Sequence, residues 1–304
     1  MAIRNHKLAA LGFAALFASA AAGVTTLSAS AQEGDASSAT QSAAEWQTIP
    51  DSNLLLIDTE KGVITIELNP DWAPRHVERI RQLAFGGIMH GERFYRVIDG
   101  FVAQAGLQDE ADIMNWPTLQ NENDRDFGGP RFVPLGNRDL FAAEVGHVDG
   151  FPVGRSQLLG REWLLHCPGA VAMARDTDPD SGSTEFYIVL DAQRYLDRNL
   201  TVFGRVIDGM EHVQALKRGN REIENGVIQA PEVGDEIRSF HIVADMPEEM
   251  RPHWQVMNTE SAAFEAFKTS KRVRTDEFFY RRPPSVLDIC SFSVPVRPAP
   301  GGGE

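Results

Sequence analysis

The sequence lacks the motifs that several common enzyme classes require. It has only two cysteines in 304 residues, Cys167 and Cys290, and neither lies in a C-x-x-C motif. Paired zinc knuckles and thioredoxin-like redox motifs are therefore excluded. No H-E-x-x-H pair, G-x-S-x-G elbow or glycine-rich phosphate loop is present, and these are the usual signs of metalloproteases, serine hydrolases and nucleotide-dependent enzymes. The residues indicate no metal and no cofactor.

Positive charge is also scarce. The chain has 29 Lys and Arg against 43 Asp and Glu, which gives a formal net charge of −14 at pH 7. Phosphate backbones and anionic lipid headgroups repel such a chain. The composition, 42% hydrophobic and 24% charged, is typical of a globular protein. We therefore expect a soluble protein that does not bind nucleic acid.

A long apolar run occurs only near the N-terminus. Arg4 and Lys7 precede an Ala- and Leu-rich run over Leu8–Val24, and Ala29-Ser30-Ala31 follows. This order is typical of a secretory signal peptide. An uncleaved membrane anchor is the alternative, although the run is shorter than the roughly 20 residues of a spanning helix. We expect residues 1–31 to be cleaved and the protein to be periplasmic, with no membrane attachment afterwards.

Short β-branched segments dominate residues 51–245. Short apolar and β-branched runs bounded by turn residues predict strands over 54–58, 63–68, 94–98, 102–106, 170–174, 186–190, 202–206 and 237–243. Apolar residues at helical spacing predict one helix from Pro74 and another over 210–216. Many short strands with two helices indicate a mainly β fold, a closed barrel with helical lids.

Three other segments differ from this pattern. Residues 32–50 are rich in Ser, Ala and Gln and predict a flexible linker. Residues 107–168 contain recurrent Pro, Gly, Asn and Asp and predict a long irregular insertion. Residues 246–304 form a C-terminal extension, in which we expect a helix over 260–271 and an edge strand over 286–296, packed on the barrel.

The two cysteines leave two alternatives open. In an oxidising compartment Cys167 and Cys290 can form one disulfide, which would pin the extension to the barrel. Otherwise both are buried free thiols.

Two groups of segments resemble the cyclophilin family of peptidyl-prolyl cis-trans isomerases. The first is Phe94–Gly106, F-Y-R-V-I-D-G-F-V-A-Q-A-G. The second comprises Gly169–Arg175, Ser183–Ile188, Tyr195–Asp197 and Val202–Val206. With Gly62–Leu68 and Ala73-Pro74, the resemblance runs over about residues 53–244, interrupted by 107–168. It implies an eight-stranded antiparallel barrel capped by two helices, with a groove that binds extended peptides.

The resemblance also implies the site residues. Arg96 matches the catalytic arginine, Phe101 lies at a position of the proline pocket, and Gln104 matches the glutamine that holds the arginine. The expected substrate-binding positions are Val102, Ala174, Arg175, Glu185, Tyr187, Tyr195 and Leu196. The alternatives are a surface salt bridge for Arg96 and plain barrel packing for Phe101 and Tyr187.

The chain departs from the family pattern at four places. Tyr195 replaces a common tryptophan, Leu200 an expected histidine and Glu185 a usual glutamine, while Ala105-Gly106 replaces a glycine pair. These changes place the catalytic rate and the peptide preference in doubt more than the fold.

The leading hypothesis is a peptidyl-prolyl isomerase that assists the folding of exported proteins and acts on their X-Pro segments. The alternatives are a non-catalytic proline-peptide-binding or chaperone module and a structural component of the cell envelope.

Overall fold

The structure is a computed structural model that describes residues 45–128 and 131–300. The predicted signal peptide, residues 1–31, and the first part of the predicted linker, residues 32–44, lie outside the described residues. Among the described residues, no helix is long and apolar enough to cross a membrane.

Sixteen strands and four α-helices form the regular structure of the described residues. The strands are β1 (Trp46–Thr48), β2 (Leu54–Thr59), β3 (Gly62–Leu68), β4 (Arg93–Val97), β5 (Val102–Gly106), β6 (Arg125–Asp126), β7 (Val133–Pro134), β8 (Glu144–Val148), β9 (Phe151–Ser156), β10 (Arg161–Leu164), β11 (Ala170–Met173), β12 (Phe186–Val189), β13 (Val202–Asp208), β14 (Ile237–Ile242), β15 (Trp254–Met257) and β16 (Val296–Pro298). The helices are α1 (Pro74–Phe85), α2 (Glu110–Ile113), α3 (Met210–Gln214) and α4 (Ala262–Arg272). Short 3-10 turns include Arg194–Leu196, Glu224–Gly226 and Ile289–Ser291.

Eight strands form one antiparallel barrel, which confirms the predicted fold class. Their order is β14-β2-β3-β13-β11-β12-β5-β4. The two edge strands approach each other, because the Phe94 N–H donates to the Asp235 carbonyl at 2.9 Å and the Ile237 N–H to the Glu92 carbonyl at 2.8 Å. These bonds nearly close the sheet, so few backbone groups of the edge strands lack partners.

Alternating apolar side chains fill the barrel. Successive side chains of a strand point to opposite faces, and the inward set is almost fully buried, including Leu55, Ile57, Ile64, Ile66, Phe94, Phe186, Ile188 and Phe203. Helix α1 adds Val77, Ile80 and Leu83 from one face, and α3 adds Val213. The same alternation turns every second side chain of β5 and β12 outward, and the candidate site lies on that outer face.

The prediction that residues 107–168 are irregular is wrong. They contain a five-stranded antiparallel sheet in the order β6-β10-β9-β8-β7. Its central hairpin turns at Asp149-Gly150, where both residues have positive φ. Gly154 within β9 reads as a strand breaker in the sequence, but a Cβ there would lie 2.7 Å from the Trp163 indole nitrogen. This glycine therefore permits close packing inside a strand rather than marking a loop.

The predicted linker, residues 32–50, ends earlier than expected. Residues Trp46–Thr48 form β1 and pair with β15 of the C-terminal extension. The following Ile49 is only 2% exposed. A strand of three residues is too short to show an alternating pattern in the sequence. Its partner, β15, lies about 200 residues later in the chain.

The extension packs against the insertion sheet as well as the barrel. Helix α4 begins after Ser261, whose hydroxyl accepts the Phe264 N–H. The rings of Phe264 and Phe292 lie 5.4 and 5.5 Å from the His147 ring of β8, and Phe267 packs on Phe292 at 5.4 Å. The prediction of a strand over 286–296 is wrong. The Asp288 carboxylate accepts two backbone N–H groups, and the chain there forms a 3-10 turn. Within residues 286–298, the strand is limited to Val296–Pro298.

Cys167 and Cys290 form a disulfide in the structure, with 4.7 Å between their Cα atoms. It joins the residues just before β11 to the 3-10 turn of the extension. The two cysteines are 123 residues apart in sequence, so the bond closes a long loop that contains the later strands of the barrel and most of the extension.

Candidate active site

Arg96 is held by two segments that are far apart in sequence. Strands β4 and β5 place Arg96 opposite Gln104, and Nη1 of Arg96 donates to Oε1 of Gln104 at 3.0 Å. Its Nε donates to the Asn225 carbonyl at 2.8 Å. Asn225 lies in a 3-10 turn with positive φ, and no local motif in the sequence signals this role. Two nitrogens of the guanidinium are thus fixed by the fold.

A partly buried carboxylate, that of Glu185, fixes the orientation of the Gln104 amide. Nε2 of Gln104 donates to Oε2 of Glu185 at 3.2 Å and to the Tyr95 hydroxyl at 2.5 Å. The Tyr95 hydroxyl donates to Oε1 of Glu185 at 3.0 Å, and Gln108 donates to the same oxygen at 3.1 Å. Because a carboxylate only accepts hydrogen bonds, the amide nitrogen must face Glu185 and the amide oxygen must face Arg96. Glu185 therefore acts on Arg96 through Gln104.

Burial sets the protonation of this network. It raises the pKa of Glu185 above its ordinary value, and the hydrogen bonds from Tyr95, Gln108 and Gln104 together with Arg96 offset only part of that rise. Burial also raises the pKa of Tyr95, so its hydroxyl stays protonated and can donate. It lowers the pKa of Arg96, but a guanidinium remains charged in proteins.

This network predicts a pH dependence of catalysis. As pH falls through the raised pKa of Glu185, the carboxylate is protonated, loses an acceptor site and no longer fixes Gln104. We expect kcat/KM to fall on an acid limb that lies at higher pH than a free glutamate would give, and Glu185→Gln to abolish that limb.

The measurement is kcat/KM of the wild type and of Glu185→Gln for a short X-Pro peptide from pH 4 to 8. Intrinsic fluorescence verifies that each protein is folded at each pH. Glu92→Gln is the matched control, because burial also raises the pKa of Glu92 but Glu92 lies outside the network. An acid limb that persists in Glu185→Gln contradicts the assignment.

Beside Arg96 lies an open pocket of about 370 Å³, large enough for a small ligand group. Phe101 and Tyr195 supply its aromatic surface, and the Phe101 ring centroid lies 5.7 Å from Cζ of Arg96. Tyr195 is 61% exposed. The other lining residues are Ile98, Gly100, Gln193, Arg221 and Asn225. The structure thus brings Arg96, Phe101 and Tyr195 together around one pocket.

Three other predicted pocket residues lie beneath or beside this surface. Val102 and Tyr187 are buried, in an apolar cluster on the outer face of the barrel against which Phe101 packs. Leu196 is partly buried in the same 3-10 turn as Tyr195. None of the three lines the pocket. The structure places Val102 and Tyr187 as the support on which Phe101 lies.

The predicted backbone-pairing residues are engaged within the chain. The Ala174 N–H donates to the Glu185 carbonyl at 2.9 Å. The Arg175 guanidinium donates to the Asn199 carbonyl at 2.7 and 3.0 Å and to the Asp176 carbonyl at 2.6 Å. Arg175 therefore ties its own loop to the turn that follows Tyr195, and its head group is occupied in this structure.

A histidine that the sequence did not single out supports the site. Nε2 of the fully buried His166 lies 2.9 Å from the Tyr187 hydroxyl, and its Nδ1 lies 3.2 Å from Asp197. Arg194 bridges Asp197 to Asp139 of the insertion. Burial opposes ionisation of Asp139, but the Arg194 hydrogen bonds hold its pKa below its ordinary value. Only the fold brings His166, 21 residues before Tyr187, into this position.

Comparisons with known proteins agree with this geometry. A sequence model of the family described as "Cyclophilin type peptidyl-prolyl cis-trans isomerase/CLD" matches residues 54–241. A probable peptidyl-prolyl cis-trans isomerase of Brucella suis is 32% identical over 195 residues, 64% of this chain and 84% of that protein. Peptidyl-prolyl cis-trans isomerase B of Bacillus subtilis is 30% identical over 166 residues, 55% of this chain and 90% of that protein.

A solved structure is similar over more of the chain. The crystal structure of cyclophilin AquaCyp293 from Hirschia baltica is 28% identical, with a TM-score of 0.67, and covers 86% of this chain and 96% of that one. This coverage exceeds the matched family region, so the likeness extends beyond the barrel.

Proposed function

The chain belongs to the cyclophilin-type peptidyl-prolyl cis-trans isomerases, and from this premise we propose that it isomerises X-Pro bonds in exported proteins while they fold. The observation that carries the catalytic role is the setting of Arg96. Nε and Nη1 are anchored to Asn225 and Gln104, whereas Nη2 has no hydrogen-bond partner among the described residues. Nη2 is thus the group available to a substrate.

The reaction needs a positioned donor rather than a nucleophile. Rotation about a peptide bond is opposed by a barrier of about 18–20 kcal/mol, because its C–N bond has partial double-bond character. As the X-Pro bond twists, the prolyl nitrogen becomes pyramidal and its lone pair localises. A hydrogen bond from Nη2 of Arg96 to that nitrogen is stronger in the twisted state than in the planar one, and only such differential binding accelerates the reaction.

The pocket beside Arg96 suits the proline ring. Phe101 offers an apolar face 5.7 Å from the guanidinium carbon, and the cluster beneath it holds that ring in place. A proline ring on Phe101 would lie next to the donor, in a pocket whose charged lining residues are Arg96 and Arg221.

Two features support a role in exported proteins. The N-terminal 31 residues have the order of a signal peptide, and disulfides such as Cys167–Cys290 persist mainly in oxidising compartments. Uncatalysed X-Pro isomerisation takes tens of seconds or more, slow enough to limit folding. A periplasmic isomerase would remove that delay.

The test is to express the full chain in a Gram-negative bacterium, fractionate the cells and sequence the N-terminus of the recovered protein. We expect a periplasmic protein that begins near Gln32 and that accelerates the proline-limited refolding of a model substrate. An intact Met1 in the cytoplasmic fraction contradicts the export proposal and leaves the isomerase activity to be judged by the refolding rate.

A further inference from the structure

We call the pocket beside Arg96, lined by Phe101 and Tyr195, the prolyl pocket. A second open pocket, of about 560 Å³, lies directly beside it. Tyr195 lines both of them, so the two are separated by one side chain. The insertion supplies most of the apolar wall of this second pocket, through Phe141, Leu159 and Trp163. We call it the insertion pocket.

The insertion pocket has an exposed apolar rim. Phe141 is 55% exposed, Leu159 52% and Tyr195 61%. These three side chains come from different segments of the fold, yet they line one concave surface. Large apolar side chains that converge in this way typically mark a binding surface.

The charged groups of the insertion pocket are already paired within the chain. Arg194 binds Asp139 and Asp197, and Arg198 binds Asp124. These pairs leave no unpaired charge among the lining residues to select a charged ligand. The three exposed side chains of the rim supply apolar contact above a polar floor that includes Ser156 and Asn199.

The same arginines hold two rings of the pocket. The guanidinium of Arg194 lies 5.2 Å from the Phe141 ring centroid, and that of Arg198 lies 5.0 Å from the Trp163 ring centroid. Cations at this distance from an aromatic face attract it. The rings are therefore oriented before any ligand arrives, which lowers the entropic cost of binding.

We propose that the insertion pocket is a specificity subsite that takes a large apolar or aromatic side chain of the same polypeptide whose X-Pro bond occupies the prolyl pocket. The proposal rests on the proposed function, because it assumes a proline next to Arg96. The continuity of the two pockets through Tyr195 supports it. An extended chain advances about 3.3 Å per residue, so a residue two or three positions from the proline can reach across Tyr195.

The test is a phenylalanine scan of a short alanine-based peptide with one central proline. Phenylalanine is placed in turn at each of three positions before and after the proline, and kcat/KM is measured by exchange spectroscopy. We expect one position on one side to raise kcat/KM about tenfold over the all-alanine peptide, mainly through KM, a gain within the range for filling an apolar pocket. Leu159→Ala and Phe141→Ala should remove that gain and leave turnover of the all-alanine peptide unchanged.

Leu158→Ala is the matched control. Leu158 is 95% exposed and adjacent to Leu159 in the same turn, but it does not line the pocket. A scan without a preferred position, or an equal loss of the gain in Leu158→Ala, overturns the subsite. Calorimetry measures the affinity of the same peptides and tests the subsite even if the protein does not turn them over. Failure of the subsite proposal can therefore be distinguished from failure of the isomerase assignment.

Discussion

Arg96→Ala is expected to lose about 2–4 kcal/mol of transition-state stabilisation, the range for removing one oriented donor. In kcat/KM for a short X-Pro peptide, this is a loss of about thirtyfold to a thousandfold. The reason is the geometry of the guanidinium: Asn225 and Gln104 hold two of its nitrogens, so the third points with little freedom. Peptide binding should weaken much less than turnover, because the proposed hydrogen bond forms mainly in the twisted state.

Two variants control this result. Arg96→Lys keeps the charge but not the planar fork, so it cannot reproduce the anchoring to both partners, and we expect most of the loss to persist. Arg238→Ala removes a half-exposed arginine on another strand of the barrel and should leave turnover unchanged. Wild-type activity in Arg96→Ala contradicts the role of Arg96 as donor.

Removal of the disulfide is expected to lower the free energy of unfolding by about 3–5 kcal/mol. The bond closes a loop between residues 123 positions apart, so its loss returns much conformational freedom to the unfolded chain. The variant Cys167→Ala/Cys290→Ala should unfold at lower guanidinium concentration than the wild type. Catalysis should persist at temperatures where the variant is folded, because neither cysteine lines the prolyl pocket.

Reductant supplies the control for the disulfide. It should destabilise the wild type to the level of the double variant and leave the double variant unaffected. Thiol counting on denatured, unreduced protein should find no free thiol. Two free thiols would contradict the bond and leave the apolar packing of Phe264, Phe267 and Phe292 on the insertion sheet and the β1–β15 pairing to hold the extension.

The barrel could be predicted from sequence because each of its strands carries a local signal. A short apolar run marks β2 and β-branched residues mark β3. The F-Y-R-V-I-D-G-F motif marks β4 and β5. The insertion sheet carries no such signal. Its two-residue strands β6 and β7 and the glycines of β8 and β9 show the same composition as a loop, and only packing against the barrel and the tail makes them strands.

The residues of the candidate site also fall into two groups, those with a local sequence signal and those without one. Arg96, Phe101 and Gln104 lie within nine residues of one another, so one motif identifies them. Asn225 and His166 contribute through a backbone carbonyl and a long-range contact, which no local pattern reveals. From sequence, Glu185 is one of four departures that place the catalytic rate in doubt. The structure adds that its carboxylate accepts three side-chain donors and fixes Gln104.

The most direct test of the catalytic account is exchange spectroscopy on a short X-Pro peptide at equilibrium, with the wild-type protein at a small fraction of the peptide concentration. This measurement separates catalysis from binding, because a mere binder shifts the cis and trans populations or broadens their signals without accelerating interconversion of the bulk peptide. We expect interconversion to accelerate in proportion to the protein concentration while the cis-to-trans ratio of the peptide stays unchanged. A protein that binds the peptide and leaves the exchange rate at its uncatalysed value would contradict the account and identify the chain as a binding module.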